Sequence, residues 1–271
     1  MPAHDEPVIA VRGFCFRLGQ KQILRDVTFS VRRGEYLSIV GPNGAGKTTL
    51  LKCLDRIIGG GDGQIEILGR PLASYRQKEL ARHMSYVPQA DGRVFPFTVE
   101  QFVTMGRYPY LSPFTSVSRE DHQAVRDALQ QTGTLEFADR LLDTLSGGER
   151  QKVYVAAALA QGASILLLDE PTTFLDYRHQ AEIRGLLARA NRDSGATVVA
   201  VTHDVNTAAL ESDRIVALRD GTVVFCGTPS ELMRPDVLKK IYDTPLLLTQ
   251  HPSVLLPVIV PAATQSRESH L

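Results

Sequence analysis

The chain has little of what a secreted or membrane-embedded protein needs. Its cysteines number three, Cys15, Cys53 and Cys226, far apart and without metal-ligand spacing. That excludes a disulfide frame and a cysteine metal centre, and suits a reducing compartment. An excess of charge of one sign is also missing. Lys+Arg and Asp+Glu number 30 each, a net charge of +0, so no electrostatic pull toward nucleic acid or anionic lipid is expected. Long apolar runs are absent: the most apolar stretch, 153–168, is broken by Gln161, Gly162 and Ser164 and falls short of a bilayer span. The start, "MPAHDEPVIA", lacks a cationic or long apolar segment, so no signal peptide is expected. No internal repeat, low-complexity segment or heptad run stands out. What remains is 271 residues, enough to bury a sizeable core in one large domain or two small ones.

Residues 8–33 alternate loosely and predict two antiparallel strands, "VIAVRGFCF" and "ILRDVTFSV", around a turn near Gly19-Gln20. Continuous apolar strands are expected at 36–40, 164–169 and 197–202, the first two running into helical patterns. Such runs mark a parallel sheet covered on both faces. "IVALRDGTVVFCG" predicts a hairpin turning at Asp220-Gly221. The glycine cluster Gly59, Gly60, Gly61 and Gly63 lacks a lysine or hydroxyl pair and reads as a turn. Between the early strands and the strand at 164 lies different territory. Residues 90–160 carry prolines and aromatics (Phe95, Pro96, Phe97, Phe102, Tyr108, Pro109, Tyr110, Pro113, Phe114) and then helix-periodic sequence, as in an inserted helical subdomain.

The segment "GPNGAGKTT" comprises Gly41, Pro42, Asn43, Gly44, Ala45, Gly46, Lys47, Thr48 and Thr49. It lies between a predicted buried strand and a predicted helix. Glycines let backbone N–H groups approach a ligand closely, and the helix points its positive dipole end at the same place. A lysine and a hydroxyl at the helix start suit a terminal phosphate and its Mg²⁺, so the loop predicts a nucleoside triphosphate site. Such a site needs a carboxylate for the metal. "SILLLDE" supplies Asp169 at a strand end, followed by Glu170. Two carboxylates at the mouth of an apolar strand are costly unless charge meets them. Asp169 suits the metal, and Glu170 suits orienting or deprotonating water. In "LSGGERQK", Ser146 and Glu149 form a capping box, and Gly147 and Gly148 leave N–H groups free at a second helix start. Two phosphate-binding ends that do not face each other within one chain require two chains paired head-to-tail.

Together these motifs resemble the ATPase subunit of ABC transporters over nearly the whole chain. Gly41–Thr48 is similar to the Walker A loop, Gln89 in "VPQ" to the Q-loop glutamine and Leu145–Glu149 to the signature motif. Ile165–Glu170 is similar to Walker B, Asp176 in "TTFLD" to the D-loop aspartate and His203 in "VTHD" to the switch histidine. The resemblance implies a P-loop NTPase parallel-sheet core with an N-terminal antiparallel β subdomain. The core, with that antiparallel part, takes residues 1–89 and 161–243, the inserted helical signature subdomain 90–160, and a C-terminal strand pair and tail 244–271. It also implies two subunits sandwiching two ATP molecules. Lys47 and Thr48 of one would hold phosphates and Mg²⁺, with Asp169 and Gln89 also at the metal. Ser146, Gly147 and Gly148 of the other would cap the γ-phosphate. Glu170, His203 and Gln89 form the implied catalytic set. One departure stands out: where the family stacks adenine on an aromatic residue before a glycine, "FRLGQ" places Leu18. Phe16, two residues back on the expected strand face, is the candidate to compensate, and looser adenine selectivity is expected.

The surroundings of the motifs refine the resemblance. "TVEQFVTMGRYPYLSPF" with "DEPTTFLDYRHQ", and the terminal "HPSVLLPVIVP", resemble the ATPases of large-fold importers for iron–siderophore, haem and cobalamin. The implied partners are a second copy of the chain, an integral membrane permease docked through 95–114, and indirectly a substrate-binding protein; nucleic acid is not among them. The implied place is cytoplasmic, on the inner face of the cell membrane. The aromatics of 95–114 have two readings, a groove for the permease or the helical core. A soluble ABC ATPase of iron–sulfur cluster assembly would share every nucleotide motif and remains the alternative of another class.

Overall fold

The computed structural model describes residues 6–89, 96–112 and 116–261. Phe95, Pro113, Phe114 and the tail 262–271 lie outside the described residues. In chain order, β1 (Pro7–Leu18) and β2 (Lys21–Arg32) form the first hairpin, and β3 (Tyr36–Val40) leads through a loop into α1 (Lys47–Leu54). β4 (Asp62–Ile67), β5 (Arg70–Pro71), α2 (Gln77–Leu80) and β6 (Met84–Val87) follow, then α3 (Val99–Met105), α4 (Arg119–Gln131) and α5 (Gly147–Gln161). After these come β7 (Ile165–Asp169), α6 (Tyr177–Arg192), β8 (Thr197–Val201), α7 (Val205–Glu211) and the hairpin of β9 (Arg214–Arg219) and β10 (Thr222–Gly227). α8 (Pro229–Leu232), α9 (Pro235–Tyr242), β11 (Leu247–Gln250) and β12 (Pro257–Val260) close the described chain.

The unbroken apolar runs have a simple physical outcome. Every residue of β3, β7 and β8 is buried, because the sheet they form is covered on both faces. The sheet runs β10-β9-β3-β8-β7-β6, parallel throughout except for the β9–β10 hairpin. Alternate residues feed different cores. Ile165, Leu167, Val199 and Val201 join α1 and the antiparallel strands. Leu166, Leu168, Val198 and Ala200 join the core of α3, α4, α5 and α6.

The second sheet, β2-β1-β4-β5, is antiparallel throughout. Its hairpin turns at Gly19-Gln20 as expected, but its register is broken, and Phe16 pairs with Leu24 while Arg17 already pairs with Gln22. That irregularity corrects one expectation. Strict alternation would place Phe16 beside Leu18; instead Phe16 is 4% exposed inside the core and Leu18 is 65% exposed. Phe16 is therefore packing, and its ring is not presented beside Leu18 to a base. β11 and β12 pair at the far end. Among the described residues no helix is long and apolar enough to cross a membrane.

Candidate functional site

The nucleotide loop is made by a strand that must turn sharply. β3 ends at Val40, and Gly41 (φ 137°) swings the chain against β9 so closely that a Cβ would lie 2.0 Å from the Leu218 carbonyl oxygen. No other residue fits there. Gly46 (φ 97°) caps α1 without any side-chain bond, and the first turn of α1 carries no acidic residue. The helix start therefore keeps N–H groups and its positive dipole end for an external anion. Lys47 is 6% exposed and donates from Nζ to the carbonyls of Gly41 (2.7 Å) and Pro42 (3.0 Å). Burial pulls its pKa down, against the opposing pull of Glu170 and Asp169.

Asp169 ends β7 directly across from α1. It is 3% exposed, accepting from the Thr48 hydroxyl at 2.8 Å and the Tyr86 hydroxyl at 2.9 Å. A buried carboxylate met by hydroxyls beside a lysine is the oxygen-rich setting a hard divalent cation needs. Among the described residues no group of three or more His, Cys, Asp or Glu gathers elsewhere as a metal site. Thr48 and Asp169 fit a magnesium ion held mainly by phosphates rather than one caged by acids, while Gln89 reaches Glu170.

Glu170 takes the left-handed conformation (φ 48°) while its N–H still bonds Val201 across to β8. That twist turns its side chain from the sheet toward three partners. Its Oε2 meets the Thr173 hydroxyl at 2.9 Å, His203 Nδ1 at 3.3 Å and Gln89 Nε2 at 3.5 Å. His203 stands between the end of β8 and Asp204, which caps α7 by accepting from the Thr207 N–H. The sequence-predicted set Gln89, Glu170 and His203 is thus gathered at one carboxylate. Thr173, on the Glu170 carboxylate, and Tyr86, on that of Asp169, carry no sequence signal strong enough to single them out. Tyr242, at the end of α9, is a third such residue. Its hydroxyl is buried against the backbone at Gly41 without completing a hydrogen bond. It lines a cleft of about 240 Å³ with Pro42, Asn43, Gly44 and Ala45, and burial pushes its pKa up to about 12.

The capping box at the start of α5 forms as predicted. Ser146 Oγ accepts from the Glu149 N–H (3.3 Å), and Glu149 Oε2 accepts from the Ser146 N–H (2.8 Å). These bonds hold the Glu149 carboxyl below the usual carboxylate range. Gly147 faces open space with Leu175 nearest, and Gly148 is buried under His179. α5 packs on α3, α4, α6 and β6. Among the described residues no hydrogen bond or ion pair joins 145–149 to 41–48. Asp176 caps α6 by accepting from the His179 N–H at 2.9 Å.

The aromatics of 95–114 divide between the two readings. Phe102 packs on Tyr154 (ring centroids 5.3 Å apart), inside the helical core. Tyr108 and Tyr110 stand outward, 64% and 40% exposed. Cations hold them: Lys78 lies 5.1 Å above the Tyr108 ring and Arg107 4.0 Å above the Tyr110 ring. Lys78 also donates to the Leu111 carbonyl, and Arg82 to that of Pro109 at 3.1 Å.

Comparison with known proteins agrees with this geometry. The family described as ABC transporter matches residues 24–173. The chain is 40% identical over 240 residues to the iron(3+)-hydroxamate import ATP-binding protein FhuC of Bacillus subtilis (strain 168), covering 89% of each. It is 38% identical over 258 residues to the ferric enterobactin transport ATP-binding protein FepC of Escherichia coli (strain K12), covering 94% of this chain and 95% of that one. It is 40% identical over 259 residues to the hemin import ATP-binding protein HmuV of Streptomyces coelicolor (strain ATCC BAA-471 / A3(2) / M145), covering 96% and 91%. Among solved structures, the dimeric cassette MJ0796 bound to ADP and Pi superposes with a TM-score of 0.70 at 28% identity, covering 82% of this chain and 98% of that one. A strand–loop–helix turn, a buried carboxylate across from it and a carboxylate–histidine–glutamine cluster beside it thus sit in a chain whose relatives are the ATP-binding proteins of import systems, and the chain belongs to the ABC transporter family.

Proposed function

We propose that the chain is the ATP-hydrolysing subunit of an importer for ferric siderophores. The observation that carries this reading is the agreement of relatives across the chain's length: those for iron(3+)-hydroxamate and ferric enterobactin each align over 89% or more of it. Two copies would pair head-to-tail, with Lys47, Thr48 and the 41–49 backbone of one holding ATP and Ser146, Gly147 and Gly148 of the other closing over the γ-phosphate. The separation of the two anion sites within the chain supports this pairing.

The residues divide the chemistry among them. Mg²⁺ held at Thr48, Asp169 and Gln89 would supply charge neutralisation at the phosphates. Lys47 would exchange its loop carbonyls for phosphate oxygens. Glu170 has Thr173, His203 and Gln89 on Oε2, which leaves Oε1 to accept a hydrogen bond from the attacking water. His203 would steady the γ-phosphate, and Asp176 would face the partner copy. Tyr108 and Tyr110, outward and braced by cations, would receive the permease's cytoplasmic face within 95–114. Such docking would put the chain at the inner face of the cell membrane, with a substrate-binding protein delivering cargo to the permease.

Haem is the second reading, favoured by the relative for hemin import, which aligns over 96% of the chain. One experiment addresses both. A tagged Glu170→Gln chain is expected to co-purify with a polytopic permease from detergent-solubilised membranes when ATP is present. The companion binding protein is then titrated with ferric siderophore, haem and cobalamin. Recovery of a soluble partner alone would move the function to iron–sulfur cluster assembly.

A further inference from the structure

The start of α5 and the loop before α6 meet through a residue that belongs to neither, His179. It lies in the first turn of α6, and its ring Nδ1 sits 2.9 Å from Asp176 Oδ1, the same oxygen that accepts its backbone N–H. These bonds hold the Asp176 carboxyl below the usual carboxylate range. The ring also lies on Gly148: a Cβ there would stand 2.3 Å from Cγ and 2.4 Å from Cδ2 of the imidazole. Gly148 has no left-handed backbone to explain it, and Gly147 beside it would meet nothing closer than 3.9 Å. Gly148 is therefore glycine because of the ring above it.

An imidazole suits both contacts. A flat ring covers a residue without a Cβ, and its edge nitrogen still reaches a carboxylate. Phenylalanine would cover without bonding, and asparagine would bond but is too short to cover. Further along, Lys152 of α5 pairs with Glu182 of α6 at 3.0 Å. The two helices are thus joined independently of His179, which leaves the histidine free to set only the relation between their first turns.

We propose that His179 is a positioning residue that locks the start of α5 to the 171–176 loop, so that Ser146–Gly148 and Asp176 present one rigid face to a second copy of the chain. The inference rests on the reading of the site as a paired ATPase. Among the described residues no hydrogen bond or ion pair joins His179 to the 41–49 loop, so the residue would govern closure of the pair rather than first binding of nucleotide.

The test follows from that division. His179→Ala is expected to lower kcat about tenfold, the size of coupling seen between touching residues, with KM for ATP changed less than about twofold. In the Glu170→Gln background it should raise the ATP needed for dimerisation by a similar factor. His179→Gln, which retains a donor for Asp176, should recover part of both. Gly148→Ala separates this from a general packing loss: it should abolish ATP-driven dimerisation, and Gly148→Ala with His179→Ala should regain part of it because the collision is gone. A His179→Ala chain with wild-type kcat and dimerisation overturns the inference alone. A Glu170→Gln parent that never dimerises with ATP overturns the proposed function and this inference with it.

Discussion

Glu170 is held at φ 48° with Gln89, Thr173 and His203 around one carboxylate oxygen. In the role proposed for it, a group so placed would act on the reaction and contribute little to binding the nucleotide. Glu170→Gln should therefore cut kcat by about 10²–10⁴ while leaving ATP affinity near wild type; single-turnover hydrolysis with a parallel binding titration measures both. If adenine lies over Leu18 as the resemblance implies, the exposed leucine forgoes roughly 0.5–1.5 kcal/mol of ring-on-ring attraction, and Phe16 is buried and cannot replace it. Hydrolysis rates for ATP and GTP should accordingly be comparable, and a strong ATP preference would count against this. At Tyr242 the buried hydroxyl makes no well-formed hydrogen bond and only approaches the Gly41 backbone, so little is lost when it is removed. Tyr242→Phe should leave Tm unchanged or raise it by about 2–4 °C in a thermal melt.

The residues legible in the sequence were those whose chemistry is packed into short segments: Lys47 and Thr48 after glycines, Asp169 and Glu170 after an apolar run. Tyr86, Thr173, His179 and Tyr242 were not legible, because each matters only through a partner from another element or turn. Phe16 was misplaced for a related reason. Alternation along β1 assumes an unbroken register, and the register breaks at that residue.

Among the elements, the parallel strands and the start of α5 followed directly from pattern, whereas β4 did not. Of the glycines read as a turn, Gly59 and Gly60 stand in the open segment before β4, but a Cβ at Gly63, inside β4, would lie 2.4 Å from the Gly13 carbonyl oxygen. Gly63 marks a close approach of β4 to β1 at a register shift, a tertiary demand invisible locally. At the other end, α4 is tied down by Arg107, whose Nε lies 2.8 Å from Asp121 Oδ1 and whose other arm donates to the Ala160 carbonyl at 2.8 Å. The pair is largely buried, so losing one partner leaves a charge uncompensated, at a cost on the order of 3 kcal/mol. Arg107 holds the Asp121 carboxyl below its ordinary value, with the Ser118 cap adding to it. A depressed carboxylate stabilises above the unfolded-state value, about 3.9, and that contribution is lost as pH falls through the folded value. Asp121→Asn should therefore melt well below wild type at pH 7, with the gap narrowing as the pH falls below the unfolded-state value.

For the whole molecule, the order of strands has a consequence for how the protein is made. The central strand β3, residues 36–40, lies between β8 and β9, residues 197–201 and 214–219. A nascent chain therefore carries an apolar strand with both edges unpaired through most of its translation. Contacts so distant in sequence fold slowly and leave aggregation-prone edges exposed. A chain stopped after residue 196 should be insoluble or rapidly digested by protease, and one stopped after residue 243, past β9, β10 and α9, should resist digestion. The phosphate loop shares this delay, since Gly41 is shaped against Leu218. Nucleotide binding thus reports that synthesis has passed β9, and a ribosome-bound chain shorter than that should bind no ATP.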